Sequence, residues 1–188
     1  MKAISIALDR PVVKNFGATL VFAGLTALLA QAAVRLPFTP IPVTLQVLGM
    51  ALSGLLLGSR LGALAQLEYL MAGLAGAPVF AGGSSGIVIL LGPSGGYLPG
   101  FVLGAFITGL LFERCHKADM YRAFAAGMAG VAMLYICGVA WLTVWLTMSG
   151  AQSSFSAWLL GALPFISIDA MKVTFAAMVA SGAVRWKK

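Results

Sequence analysis

The stretch ALPFISIDAMKVTFAAM, residues 162–178, decides how the chain is read. It is apolar at both ends, yet Asp169 and Lys172 stand near its centre. Similar apolar runs recur along the 188 residues, at about 17–34, 43–57, 61–76, 97–112, 123–148 and 159–182. The chain is 61% hydrophobic and 9% charged, with a mean hydropathy of +1.00. A soluble domain carries roughly a quarter charged residues. The expected fold is therefore an all-α membrane protein, with six transmembrane helices in one bundle and residues 1–188 forming a single membrane domain. No pattern of about ten alternating residues recurs, which excludes a barrel. The second, third and fourth runs are short for a core of roughly 30 Å, so either the helices extend further or the bilayer thins locally.

Charge orients the bundle. Lys2, Arg10 and Lys14 precede the first run, and Arg60 follows the second. Arg114, Lys117 and Arg122 follow the fourth, and Arg185, Lys187 and Lys188 follow the sixth. With six spans all of these fall on one side, and Arg35 falls on the other. The positive-inside rule then places both termini in the cytoplasm and the protein, multi-pass, in the cytoplasmic membrane. The net charge of +7 is a topology signal and implies no nucleic-acid partner. The first run is longer than a usual signal-peptide core, so it reads as a span and not a cleaved leader.

Several chemistries are excluded. There is no GxxxxGK[ST] phosphate loop, so the chain does not hydrolyse ATP itself. There is no HExxH, and the single histidine, His116, lies in a charged connection. Serines lack a histidine base, so a hydrolase is not expected. Cys115 and Cys137 have no CxxC spacing. No enzyme and no cofactor are expected.

Two connections are unusual. RLPFTPIPVTLQ, residues 35–46, carries Pro37, Pro40 and Pro42, which forbid regular helix and hold the backbone extended. GAPVFAGGSSGIVILLGPSGGY, residues 76–97, is glycine-rich but apolar, and reads as a folded or partly re-entrant loop lining a cavity. The alternative is a short amphipathic segment lying in the interface. Small residues recur four apart, at Gly54, Gly58 and Gly62, at Gly92, Gly96, Gly100 and Gly104, and at Ala23 and Ala27. Most of these serve packing inside the bundle.

Asp169 and Lys172 are three residues apart and share one helix face. A charge at the bilayer centre costs roughly 2.5–3.5 kcal/mol on insertion scales. A merely structural ion pair there is more costly than two apolar residues, so the pair is a candidate ligand site. Pro164 is placed as an early residue of the sixth helix, putting Asp169 about 7–8 Å below its start at ~1.5 Å per residue. Glu68, in QLEYL, is a weaker case, with Lys172 or an interhelical hydroxyl as its partner.

Taken together, PFTPIPVTLQ, GLLLGSRLGALA, YLMAGLAGAPVFAGG, LGPSGGYLPGF and DAMK resemble the BioY family over roughly residues 20–185. These are the biotin-binding membrane subunits (S components) of energy-coupling factor vitamin transporters. The resemblance implies a six-helix S-component fold that captures biotin at loops and helix ends on the outer side. It also implies a transmembrane coupling protein and two ATPase subunits as partners, although some members are thought to act without the ATPases. A small-residue face on the first helix, matched here by Ala23 and Ala27, would dock the coupling protein. The family's D-x-x-K pair falls on Asp169 and Lys172. An ionised Asp169 would accept ureido N–H bonds, and Lys172 would donate to the ureido carbonyl or neutralise Asp169. Phe80 and Tyr97 would sandwich the bicyclic body, Gln46 would reach polar atoms, and Arg35 would meet the carboxylate. Ser84 follows the paired glycines, where some members carry a larger asparagine. The competing readings are an S component for another vitamin and a small membrane scaffold whose Asp-Lys pair is structural.

Overall fold

The computed structural model describes residues 11–115, 119–150 and 154–186, with the side chains of 11–13, 154–155 and 184–186 excepted. Lys2, Arg10, His116, Lys117, Lys187 and Lys188 lie outside the described residues, as does the side chain of Arg185.

The described chain is mostly helical. Helix α1 spans Pro11–Gln31, and a two-stranded antiparallel ribbon follows, β1 (Ala33–Val34) pairing with β2 (Val43–Thr44). Then come α2 (Gln46–Leu57), α3 (Ser59–Leu74), a 3-10 turn at Ala81–Gly83, and the one-turn α4 (Val88–Leu91). Helices α5 (Tyr97–Glu113) and α6 (Met120–Met148) precede α7 (Ser154–Gly161), a 3-10 turn at Leu163–Phe165, and α8 (Ile166–Trp186).

Among the described residues, two helical stretches are long and apolar enough to cross a membrane, Met120–Met148 and Ser156–Ala183, the latter including the 3-10 turn. Gln46–Leu57 and Tyr97–Glu113 are apolar but shorter. Against the expected runs, Gln46–Leu57 is shorter, Ser59–Leu74 is as long but begins two residues earlier, and Tyr97–Glu113 gains one residue. The first of these starts at Gln46 because Val43 and Thr44 are committed to the ribbon, and at ~1.5 Å per residue it is about 18 Å long.

Its shortness suits its position. Helix α2 touches α1, α3, α5, α6 and α8, and nine of its residues are buried. A helix apolar all round belongs inside. Gly49 and Gly54 leave no room for a Cβ against Thr26 and Ala105, so neighbouring backbones approach α2 closely. Packing also accounts for the small residues of α5. A Cβ on Gly104 would stand 2.9 Å from the Gly130 carbonyl of α6. Gly58, at φ 86°, turns α2 into α3 in a single residue, a conformation that favours glycine. The Glu113 carboxylate at the end of α5 accepts from the Ser59 N–H and the Ser59 hydroxyl, both at 2.8 Å. This caps α3, since the first helical N–H groups have no intrahelical acceptor.

The last helix departs from expectation. Pro164 sits in the 3-10 turn that separates α7 from α8, not in the α-helix itself. Asp169 is therefore in the first turn of α8, nearer the helix start than expected. A carboxylate there is favoured by the free N–H groups and the helix dipole.

Candidate functional site

A cavity of about 660 Å³ opens where the two unusual connections meet the ends of α2, α5 and α8 and the middle of α6. Small-molecule sites occupy roughly 300–1,000 Å³. Arg35, Gln46, Phe80, Ser84, Tyr97, Asp169 and Lys172 all line it, so the fold brings together every binding residue expected from the sequence.

At the floor, Asp169 and Lys172 are 3% and 8% exposed. Lys172 Nζ donates to Asp169 Oδ1 at 2.6 Å. The second carboxylate oxygen accepts from the Tyr135 hydroxyl of α6, also at 2.6 Å. Each Asp169 oxygen keeps further acceptor capacity, and Lys172 keeps further N–H donors. Sequence reasoning did not single out Tyr135. The available signal was a phenol within an apolar helix, because a buried tyrosine hydroxyl needs a partner.

The walls are apolar and aromatic. Phe80 is 1% exposed. Its ring meets Tyr69 edge-on, centroids 5.6 Å apart, and covers Gly73 so closely that a Cβ there would overlap it. Tyr97 donates its hydroxyl to the Gly161 carbonyl at 2.8 Å, which orients its ring between α5 and α7. Gln46 is held from both ends: it donates to Tyr69 Oη at 2.6 Å and accepts from Thr44 Oγ1 at 2.8 Å. One amide N–H remains for a ligand.

The two connections close over these walls. In the first, prolines keep residues 35–42 out of helix, and the ribbon fixes their ends. The Thr39 hydroxyl donates to the Leu160 carbonyl at 2.6 Å, pinning this loop to α7. In the second, Gly86 N–H bonds back to the Gly73 carbonyl at 2.8 Å, and Trp141 Nε1 holds the Gly92 carbonyl at 2.8 Å. Ile89 of this loop lines the cavity, while Ile87, Val88 and Leu91 are exposed. The segment thus combines a lining face with an outward apolar face. Half-buried Ser84 uses its hydroxyl to bond the Ala81 carbonyl at 2.9 Å, leaving its oxygen as an acceptor. Arg35 is exposed at the mouth.

Other residues lie elsewhere. Ala23 is buried in the core and Ala27 is partly buried against it, whereas Leu20, Val21, Gly24 and Leu28 form the open face of α1. Glu68 does not reach Lys172; its Oε1 accepts from the Thr19 hydroxyl of α1 at 2.8 Å. Among the described residues no group of His, Cys, Asp and Glu could hold a metal ion.

The BioY family model matches residues 2–188. The chain belongs to the BioY family. It is 39% identical to the biotin transporter BioY of Thermotoga maritima over 87% of this chain and 91% of the relative. It is 36% identical to the probable biotin transporter BioY of Pyrococcus horikoshii, over 89% and 94%. The biotin transporter BioY of Rhodobacter capsulatus is 35% identical over 87% and 93%. A crystal structure described as the S-component for biotin from an ECF-type ABC transporter superposes with a TM-score of 0.84, covering 94% of each chain at 24% identity. That likeness carries the fold of this BioY chain and no more.

Proposed function

We propose that this chain captures biotin and takes part in its uptake across the cytoplasmic membrane, as the substrate-binding subunit of an energy-coupling factor transporter and not as an enzyme. The observation that carries this reading is the floor of the cavity, where a buried, charge-neutral Asp169–Lys172 pair is joined by Tyr135. Family membership and the relatives named biotin transporters support it.

Biotin offers a cyclic urea, an apolar bicyclic body and a carboxylated chain. The urea is neutral, with two N–H donors and one carbonyl. Asp169 accepts a urea N–H with charge assistance, and Lys172 donates to the carbonyl. Phe80 and Tyr97 flank the bicycle, Gln46 and Ser84 meet its polar edges, and Arg35 meets the carboxylate. Saturable binding of a small molecule separates this reading from a scaffold protein, and its selectivity for biotin separates it from a subunit for another vitamin.

In this reading the chain is a single membrane domain with six spans and both termini in the cytoplasm. Lys14, Arg60, Arg114 and Arg122 then lie on the inner side and Arg35 on the outer. Release to the cytoplasm employs a transmembrane coupling protein and two ATPases. We assign docking to α1, with Ala27 at the edge of its open face and Ala23 acting within the bundle. A cysteine introduced within residues 82–86 should react with an impermeant reagent from outside only; labelling from the cytoplasm alone would overturn the topology.

The test of function is binding. Folded Asp169→Asn and Lys172→Ala variants should lose saturable biotin binding. Wild-type affinity in both would contradict the proposal.

A further inference from the structure

Among the described residues, three formally charged side chains line the cavity: Arg35, Asp169 and Lys172. The last two neutralise each other at 2.6 Å on the buried floor, and Tyr135 occupies the second carboxylate oxygen. A ligand carboxylate placed there would face Asp169 across a lysine already engaged, and like charges in a buried site oppose one another. Arg35 differs. It is exposed, it stands at the mouth, and no described carboxylate pairs with it. The charges therefore give a monoanionic ligand one orientation, with its neutral polar head on the floor and its carboxyl end at the mouth.

From this we infer a second class of ligand: biotin amides, including biotinyl-lysine, in which the carboxyl group is joined to the ε-amine of a lysine. The inference rests on the biotin reading above. An amide keeps the urea and the bicycle that fill the enclosed part of the cavity. It gives up a carboxylate whose partner is solvent-exposed, and exposed ion pairs contribute little. The added group projects through the mouth between the loop bearing Arg35 and the loop bearing Ser84, where the cavity is open to the exterior.

The experiment is titration calorimetry of the full chain in detergent with biotin, biotinamide and biotinyl-lysine. The variant Arg35→Ala is titrated in parallel. Both amides should bind within about tenfold of biotin. In Arg35→Ala, biotin should weaken to match biotinamide, whose affinity stays unchanged. If biotin binds and the amides are weaker by more than about tenfold, or if Arg35→Ala weakens the amides as much as biotin, this inference fails and the biotin reading stands. If biotin itself does not bind, the biotin reading fails and this inference with it.

Discussion

Tyr135 of α6 and Asp169 of α8 lie 34 residues apart in the chain and are joined by a hydrogen bond of 2.6 Å. That bond fixes one carboxylate oxygen while Lys172 fixes the other, so the acid is held from two helices at once. Its orientation depends on the register between α6 and α8, and preorganised groups bind without the cost of being ordered.

Removing the phenol tests this positioning. A hydrogen bond to a charged group contributes about 1.5–3 kcal/mol. Tyr135→Phe should therefore weaken biotin binding by about ten- to a hundredfold in calorimetry. Unchanged affinity would show that Lys172 alone holds Asp169.

The ion pair itself should behave asymmetrically. Breaking a buried pair from one side costs about 3–5 kcal/mol, whereas replacing both partners by groups of similar volume is often neutral. Asp169→Asn and Lys172→Met should each lower thermal stability, and the double variant should recover most of the loss. None of the three should bind biotin. A double variant that binds would remove the pair from the site.

How much of this was legible beforehand follows from periodicity. Asp169 and Lys172 announce a shared face because they lie three apart on one helix. The unusual connections announce themselves through Pro37, Pro40 and Pro42 and through glycines. Tyr135 did not, because its partner is set by the packing of α6 against α8, which no local pattern records. Nor did the inward face of α1, since Ala23 is buried while similarly apolar Leu20 and Val21 are exposed. Lipid and protein interior both accept apolar side chains, so composition does not mark which side faces in. Pro164 reads as an early residue of the sixth helix, yet it lies in the 3-10 turn that separates two helices, which leaves Asp169 closer to the start of α8.

The aromatic wall gives a further prediction. Phe80 rests on Gly73, where any Cβ would overlap the ring. Gly73→Ala should displace Phe80 and loosen the loop over the cavity. Overpacking costs typically about 1–3 kcal/mol. Biotin affinity should fall by about tenfold or more, together with the melting temperature. A variant with wild-type binding would show that Phe80 is not part of the pocket wall in solution.

A buried polar residue away from the site should matter little. Gln66 is fully buried, and its Nε2 donates to Thr26 Oγ1 at 3.0 Å and to Ser53 Oγ at 3.1 Å. Both hydroxyls already donate to backbone carbonyls, of Phe22 and Met50, and Gln66 Oε1 has no partner. Gln66→Leu therefore orphans no donor and removes an unsatisfied acceptor. Stability should change by less than ~1 kcal/mol or rise, since replacing such a group by an apolar one can be neutral or stabilising. A large loss in thermal unfolding would indicate a water or ion bound at Oε1.

The central claim is that the Asp169–Lys172–Tyr135 floor belongs to a biotin pocket. The most direct measurement is titration calorimetry of the purified chain in detergent with biotin, using thiamine and riboflavin as controls. The account predicts saturable, one-to-one binding of biotin and of neither control. A well-folded sample that does not bind biotin would contradict it and return the buried pair to a purely structural role.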